Sequence, residues 1–570
     1  MARLTISERM RIAAISASRR RRGMAAQVSG LPGVRWLKGP PRVDQLLIVP
    51  QDLRPVDPSF WFEVRHDQFG LADSLAHLGG HSPFDLVPPG PAWERSLHGF
   101  GWLRHLHAAE DDEAAQAARR LAIEWTIRHG GGSGFSWQPA ILARRIISWI
   151  SHATLLLDGS DEQSYDAITR SLGAQLLRLS TAWREAEHGY PRLLSLTALL
   201  LADLTVAGRD RFLDADLRLF LDELRAQIRS DGGHASRNST VCVDLLLDFL
   251  PLRECFRSRG RPHPDELDAA IARMLAFLKA QRLGDGLLAR FNGVGVPQPA
   301  SVATVLAYGE IGKDPVAAPT VALGRSGYAR IDCGGTTIIM DCAGPPPLEL
   351  AAQASAGCLS FELGCGTTTL LSNGGLPGSG HADWIAAARS TASHNTLVLG
   401  EQSSSRLVSH ARVKALLGQS PLRGPAHVTA ERFSQEDGAV GIEASHDGYV
   451  ERHGVLHQRR IAVAPDGRRI VGTDWLKPPR GTLRLKSDVP FSIHFHLHPG
   501  VICRRADKVG SVTIEGGAQR WRMLAEGARL VIEESIHFAD AGGPVHTLQV
   551  VLRGATFGET EVRWSLTRID

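Results

Sequence analysis

A few histidines, arginines and carboxylates carry what chemistry this 570-residue chain can do. The richest stretch is Arg389-Ser390-Thr391-Ala392-Ser393-His394-Asn395-Thr396, a polar run that ends against the apolar Leu397-Val398. An imidazole such as His394 can take or give a proton near neutral pH. A second group, His494, His496 and His498, alternates with Phe495 and Leu497, which puts three imidazoles on one face of one strand. Alternate strand residues stand ~7 Å apart and seldom converge on one ion, so a polar exposed face is expected there rather than a metal. Glu187 and Asp231 fall near helix ends, and would suit glycoside hydrolysis only if they faced one another across ~5–10 Å. The seven Cys are an odd number without metal-type spacing and read as buried free thiols. No phosphate-binding loop, dinucleotide fingerprint or Gly-x-Ser-x-Gly elbow occurs in a supporting context.

Two kinds of patterning position these residues. Residues 1–94 form a basic arm and a Pro- and Gly-rich irregular lead-in. From 95 to 315 the period is helical: Leu142, Ala143, Ile146, Trp149 and Ile150 recur on one face. Leu193 to Leu204 and Val241 to Leu250 are apolar nearly all round, as inner helices are. Breaks at Asp158-Gly159, Gly208, Asp231-Gly232-Gly233 and Gly284-Asp285-Gly286 separate such segments into repeated pairs, which fits an α/α toroid, incomplete or complete. From 316 to 570 the period falls to two, with short strands at Arg469 to Leu476, Ser511 to Ile514 and Thr547 to Leu552. Helices followed by strands imply separate domains, the second an antiparallel β-sandwich.

Composition sets the outer limits. With 43% hydrophobic and 22% charged residues the chain reads as an ordinary globular protein, too long for one core. Its net charge of +4 gives no case for nucleic acid, yet is compatible with a polyanionic ligand. The most apolar helix candidate, Leu193 to Leu204, falls well short of the ~20 residues a bilayer requires, so no transmembrane segment is expected. Arg19-Arg20-Arg21-Arg22 follows a mixed segment instead of preceding an apolar one, so no export signal is legible.

Several stretches then fall into a recognisable order. They are Phe135-Ser136-Trp137-Gln138-Pro139 with Arg144-Arg145 and Trp149, Asp231-Gly232-Gly233-His234, Leu359-Ser360-Phe361-Glu362-Leu363, the His394 run, Ser445-His446-Asp447-Gly448-Tyr449 and Phe495-His496-Leu497-His498-Pro499. In this order they resemble the heparinase II/III-like polysaccharide lyases. The resemblance implies β-elimination on a uronate-containing acidic polysaccharide or oligosaccharide. In that reaction a sugar carboxylate is neutralised, the C5 proton is removed and the leaving oxygen is protonated. It also implies a cell-envelope or periplasmic place, whereas the missing signal taken at face value points to the cytoplasm.

The family's own catalytic set is only partly kept. Its Asn-His pair falls on Tyr190 and Pro191, its Tyr on Val241, its His-Ala-His-Ala-Asp turn on Gln353-Ala354-Ser355-Ala356-Gly357, and its zinc Asp near Asn373. The family's zinc is therefore expected to be lost, leaving no cofactor. On the lyase reading Tyr190 shuttles the proton, His234 or His394 is the partner base, and Arg192 meets the carboxylate. Arg237, Asn238, Trp137 and Gln138 then line the substrate. The alternatives are an acidic-glycan-binding protein that does not cut, or a glycoside hydrolase. Each residue also has a plainer reading. His394 can be a backbone-bonded sandwich histidine, Tyr190 a helix-entry ring on Leu residues and His234 a turn residue. Arg192, Arg237 and Asn238 can be solvated rim groups.

Overall fold

The computed structural model describes residues 43–569 apart from 310–319, 418–419, 480–487 and 507–509, with a few positions between 10 and 17. The four-arginine run and the expected boundary at residues 315 and 316 lie outside the described residues. The chain packs as two compact units, one of Met1–Gln227 with Val243–Ile271 and one of Ile228–Cys242 with Ala272–Asp570.

The first unit is helical. Asp111 and Asp161 cap the helices Asp112–His129 and Glu162–Ala182, accepting the N–H of Glu113 and of Ser164. Helix α1 (Pro139–Ser151) and helix α2 (Tyr190–Thr205) each carry Pro in the first turn, where no backbone donor is lost. Every residue of α2 from Leu193 to Thr205 is buried, as its all-round apolarity predicts. The lead-in supplies a short hairpin, Gln68–Leu71 with Ser74–His77. Its Phe69 joins Phe60, Trp93, Phe100, Trp102, Trp125 and Trp149 in a buried aromatic core. Helix α3 (Ser239–Ser258) supplies Asp244 and Asp248 to this unit.

The second unit is antiparallel sheet. Its eight-stranded sheet runs from Val428–Ser434 through Val455–Val463 and Thr560–Arg568 to Ile502–Arg505. A four-stranded and a five-stranded sheet accompany it. Phe361, Phe495, Trp521 and Trp564 anchor the core, with Phe361 and Trp564 stacked at 5.6 Å. The strand Pro490–His496 pairs with Leu397–Leu399 on one side and Val545–Ala555 on the other. Here the structure corrects the sequence expectation. His494 and His496 are buried, at 8% and 5% exposure, instead of forming an exposed face. A strand paired on both edges can be covered on both faces, and the imidazoles are held inside by Gln549 Oε1 at 2.9 Å and Ser535 Oγ at 2.7 Å.

Candidate functional site

In the first unit, α1 sends its two adjacent arginines in different directions. Arg145 is fully buried, stacked 3.8 Å over Trp125 and donating to Gln175 Oε1 and to the carbonyls of His98 and Ser136. Arg144 meets Asp248 through two parallel hydrogen bonds of 2.8 Å, and its Nη2 also donates to the Tyr190 hydroxyl at 2.8 Å. Arg54 brings Nη2 to 3.0 Å from Asp248 Oδ1 as a second ion pair on that carboxylate. Asp52 pairs with Arg54 at 3.5 Å and lies 3.5 Å from His152 Nε2.

The electrostatics follow from that packing. Burial raises the Asp248 carboxyl, but Arg144 and Arg54 outweigh it and hold the group below its ordinary value. Burial pushes the Tyr190 phenol up to about 12 against the pull of Arg144. Tyr190 is therefore a neutral phenol that accepts from Arg144 and keeps its own proton to give. Asp244, one turn before Asp248 on α3, is half-buried and among the described residues makes no ion pair. Burial raises it to about 6, with Arg54 and Arg144 opposing and Asp248 adding.

The other expected residues of this unit sit elsewhere. Arg192 is ion-paired with Glu223 at 3.1 Å. Trp137 is buried, its indole donating to the His129 carbonyl at 2.6 Å, so it is a core side chain where a substrate contact was expected. Gln138 is exposed at the start of α1, and Glu187 is exposed.

In the second unit the expected residues are tied down by their surroundings. A Cβ on Gly232, at φ +89°, would stand 2.0 Å from the Arg273 carbonyl oxygen, so the Asp231-Gly232-Gly233 turn needs glycine there. Asp231 accepts from Ser326 N and Oγ at 2.6 Å each, a use of the carboxylate that the hydrolase reading does not foresee. His234 is 1% exposed, with Nδ1 2.7 Å from Ser236 Oγ, and burial lowers it to about 4. His394 is 1% exposed, its Nδ1 donating to the Ser390 carbonyl at 2.7 Å, and burial lowers it to about 4 as well. Both imidazoles are thus neutral.

Arg237 and Asn238 correct the expectation of solvated rim groups, since both are 4% exposed. Arg237 spends its fork on Asp341 Oδ1 at 2.6 Å and on the carbonyls of Ser326, Gly327, Ala343 and Gly344. It straps loops together, its buried donors met by backbone carbonyls and one carboxylate. Asn238 caps α3 by accepting Thr240 N–H at 2.9 Å and donates to Gln353 Oε1 at 3.1 Å.

Around His394 the family's metal positions are otherwise employed. Asn373 Oδ1 accepts Asn395 N–H at 2.9 Å, and a Cβ on Gly357 would come within 2.7 Å of the His394 ring. Two amides, a hydroxyl and one imidazole do not fit the tetrahedral nitrogen and sulfur set that zinc takes. Among the described residues, no three His, Cys, Asp or Glu side chains are grouped to hold a metal ion. Glu362, which carries no sequence signal beyond its strand, is fully buried and raised to about 7 by that burial, with Arg290 opposing.

Comparison with known proteins agrees with this picture. Residues 315–565 match the family described as Heparinase II/III-like, C-terminal. FtsZ-localized protein C of Caulobacter vibrioides is 33% identical over 543 residues, covering 93% of this chain and 91% of that protein. The crystal structure of heparinase III superimposes with a TM-score of 0.72 at 12% identity, over 92% of this chain and 86% of that one. A heparan sulfate lyase HepC mutant from Pedobacter heparinus gives 0.62 at 14%, over 98% and 88%. At such identities the structures establish the fold, an α/α toroid followed by an antiparallel β-sandwich, and the full-length relative and the matched domain establish the lineage. This chain belongs to the heparinase II/III-like family.

Proposed function

We propose that this chain is an acidic-glycan-binding protein on a lyase scaffold, one that has given up elimination and is localised with FtsZ. The observation that carries the loss of cutting is the state of its histidines. His234 and His394 are each 1% exposed, so a sugar carbon does not reach either ring to give up its proton. The cluster of Arg54, Arg144 and Tyr190 still offers a guanidinium and a phenol of the kind that recognise a uronate. The association with FtsZ is drawn from the full-length relative named for its localisation.

A second reading keeps the elimination of a uronate-containing polysaccharide, and the Arg144–Tyr190 hydrogen bond favours it. There Tyr190 protonates the leaving oxygen and Arg192, Gln138 and the neighbouring arginines hold the substrate. One pair of measurements separates the two. Purified protein is mixed with a panel of uronate polymers, following ultraviolet absorbance and binding together, and a fluorescent fusion is followed in dividing cells. Binding without an absorbing product, with the fusion gathering where FtsZ gathers, is expected. An absorbing product from any polymer establishes the second reading, and a diffuse fusion removes the link to FtsZ.

A further inference from the structure

We infer that the solvent face of the eight-stranded sheet is a docking strip for an acidic polysaccharide, on which Arg504, Arg522 and Arg469 meet successive carboxylates of a chain charged at every second sugar. The inference deepens the acidic-glycan reading and rests on it.

The strip follows from strand register. Five neighbouring strands take part: Ile502–Arg505, Ser511–Gly516, Gln519–Glu526, Thr560–Arg568 and Arg469–Lys477. Arg504 stands opposite Thr513, Thr513 opposite Arg522, Arg522 opposite Thr567, and Thr567 opposite Arg469. Directly opposed residues share a face, so these five form one row across the sheet. Their neighbours along each strand, Cys503, Ile514, Trp521, Leu566 and Ile470, lie in the core, which turns the row to solvent. The three arginines are exposed and the two threonines half-buried.

The charge of the row is uncompensated among the described residues. There none of the three guanidinium groups makes an ion pair or a hydrogen bond. Of the acids on the same face, Glu515 is paired with Arg520 at 3.0 Å and Glu561 with Arg563. Glu526 stands four residues along its strand from Arg522, ~13 Å away. Asp466 accepts the Arg468 N–H in the turn before Arg469. A basic residue on an outermost strand guards against edge-to-edge pairing, which accounts for Arg504. Arg522 and Arg469 lie on strands paired on both sides, where no edge needs guarding.

Spacing then selects the ligand. Adjacent strands stand ~4.8 Å apart, so successive arginines are ~10 Å apart with a threonine hydroxyl between them. Two linked pyranose rings cover about that length. A chain with a carboxylate on every second sugar therefore presents one anion to each guanidinium fork, a shape that suits carboxylate. The threonine hydroxyls are left to bond the uncharged sugars between. A nucleic-acid strand carries a charge every ~3.4 Å, about three times as densely, and would leave most of its phosphates unmet.

Full-length protein is titrated with three oligosaccharides of equal length: one with glucuronate at every second sugar, one of galacturonate throughout and one uncharged dextran. Arg469→Gln, Arg504→Gln and Arg522→Gln are made singly and together. The alternating probe should bind at least as tightly as the fully charged one, with an affinity that falls as salt rises. Each single variant should lose about two- to fivefold in affinity, and the triple variant about tenfold or more. Should the triple variant fail to fold, the single variants and the preference of the unaltered protein carry the test. A triple variant that binds like the unaltered protein overturns the inference while the glycan reading stands. So does an affinity that merely follows the charge of the probe. Vesicles of phosphatidylglycerol in phosphatidylcholine are tested beside the sugars. If the triple variant loses the vesicles and keeps the oligosaccharides, the strip is a lipid surface and the inference is overturned. No binding of either uronate probe overturns both the inference and the glycan reading.

Discussion

Two arginine–aspartate pairs, one in each compact unit, share a bidentate geometry and differ in everything around it. In the second unit Asp474 accepts Arg459 Nε at 2.7 Å and Nη2 at 3.2 Å, the His457 imidazole at 2.7 Å and the Trp564 indole at 2.9 Å. Arg459 Nη1 donates to the carbonyls of Leu359 and Asn395. His457 passes the pattern on, accepting from His446 Nε2 at 3.2 Å, while His446 Nδ1 accepts the Gly448 N–H. Asp474, His457 and Arg459 are 0% exposed, and each of their side-chain nitrogens and oxygens has a partner. In the first unit the Arg144 side chain keeps 18% of its surface, Tyr190 is half-buried and Asp244 has no ion-pair partner among the described residues. A saturated network fastens a fold and recognises nothing; an unsaturated one costs stability and can bind.

The largest expected effect tests the fastener. Asp474→Ala leaves Arg459 as a buried unpaired charge and should cost about 3–5 kcal/mol. Asp248→Ala exposes a partly hydrated Arg144 and should cost roughly 2 kcal/mol. Denaturant titrations of both variants give the comparison directly, and equal losses would erase the distinction between the two networks. Arg237→Met belongs with Asp474, since it strands buried Asp341 and removes four hydrogen bonds to loop carbonyls; about 3 kcal/mol is expected in the same titration.

Protons sharpen the contrast. Asp474 is held below its ordinary value because Arg459 and His457 outweigh its burial, so its contribution is present above ~3.9 and fades as pH falls. Glu362 goes the other way, since burial raises it to about 7. The stability it allows is complete below ~4.3 and is lost as pH rises through about 7. Glu362→Gln should therefore flatten the decline in thermal midpoint between about pH 5 and 8. An unchanged pH profile in that variant would show that Glu362 is not the group responsible.

The architecture was largely readable because periodicity reports burial. α2 and the strand Pro490–His496 appear where the apolar spacing puts them. The histidine face of that strand was misread because alternation separates two faces without saying what covers either. The family motifs located His234 and His394, yet not their confinement, which comes from Ser236, Ser390 and the ring-filled space at Gly357. Arg54 lay out of reach, in an irregular segment far along the chain from Asp248. One signal was there to use. Asp244 and Asp248 stand a turn apart in the otherwise apolar Val241-Cys242-Val243-Asp244-Leu245-Leu246-Leu247-Asp248, and an inner helix keeps two acids on one face only where something basic meets them.

Tyr190→Phe is the gentlest probe of the open cluster. It deletes one oxygen, and Arg144 keeps both bonds to Asp248, so the loss of folding stability should be no more than about 0.5–1.5 kcal/mol. If the phenol only completed the packing at the start of α2, sugar binding would be untouched. Because its proton is free to give, affinity for a uronate oligomer should instead fall several-fold while the denaturation curve scarcely moves. A change in stability without a change in affinity would place Tyr190 with the fasteners of the second unit, and the line drawn between the two clusters would have to move to exclude it.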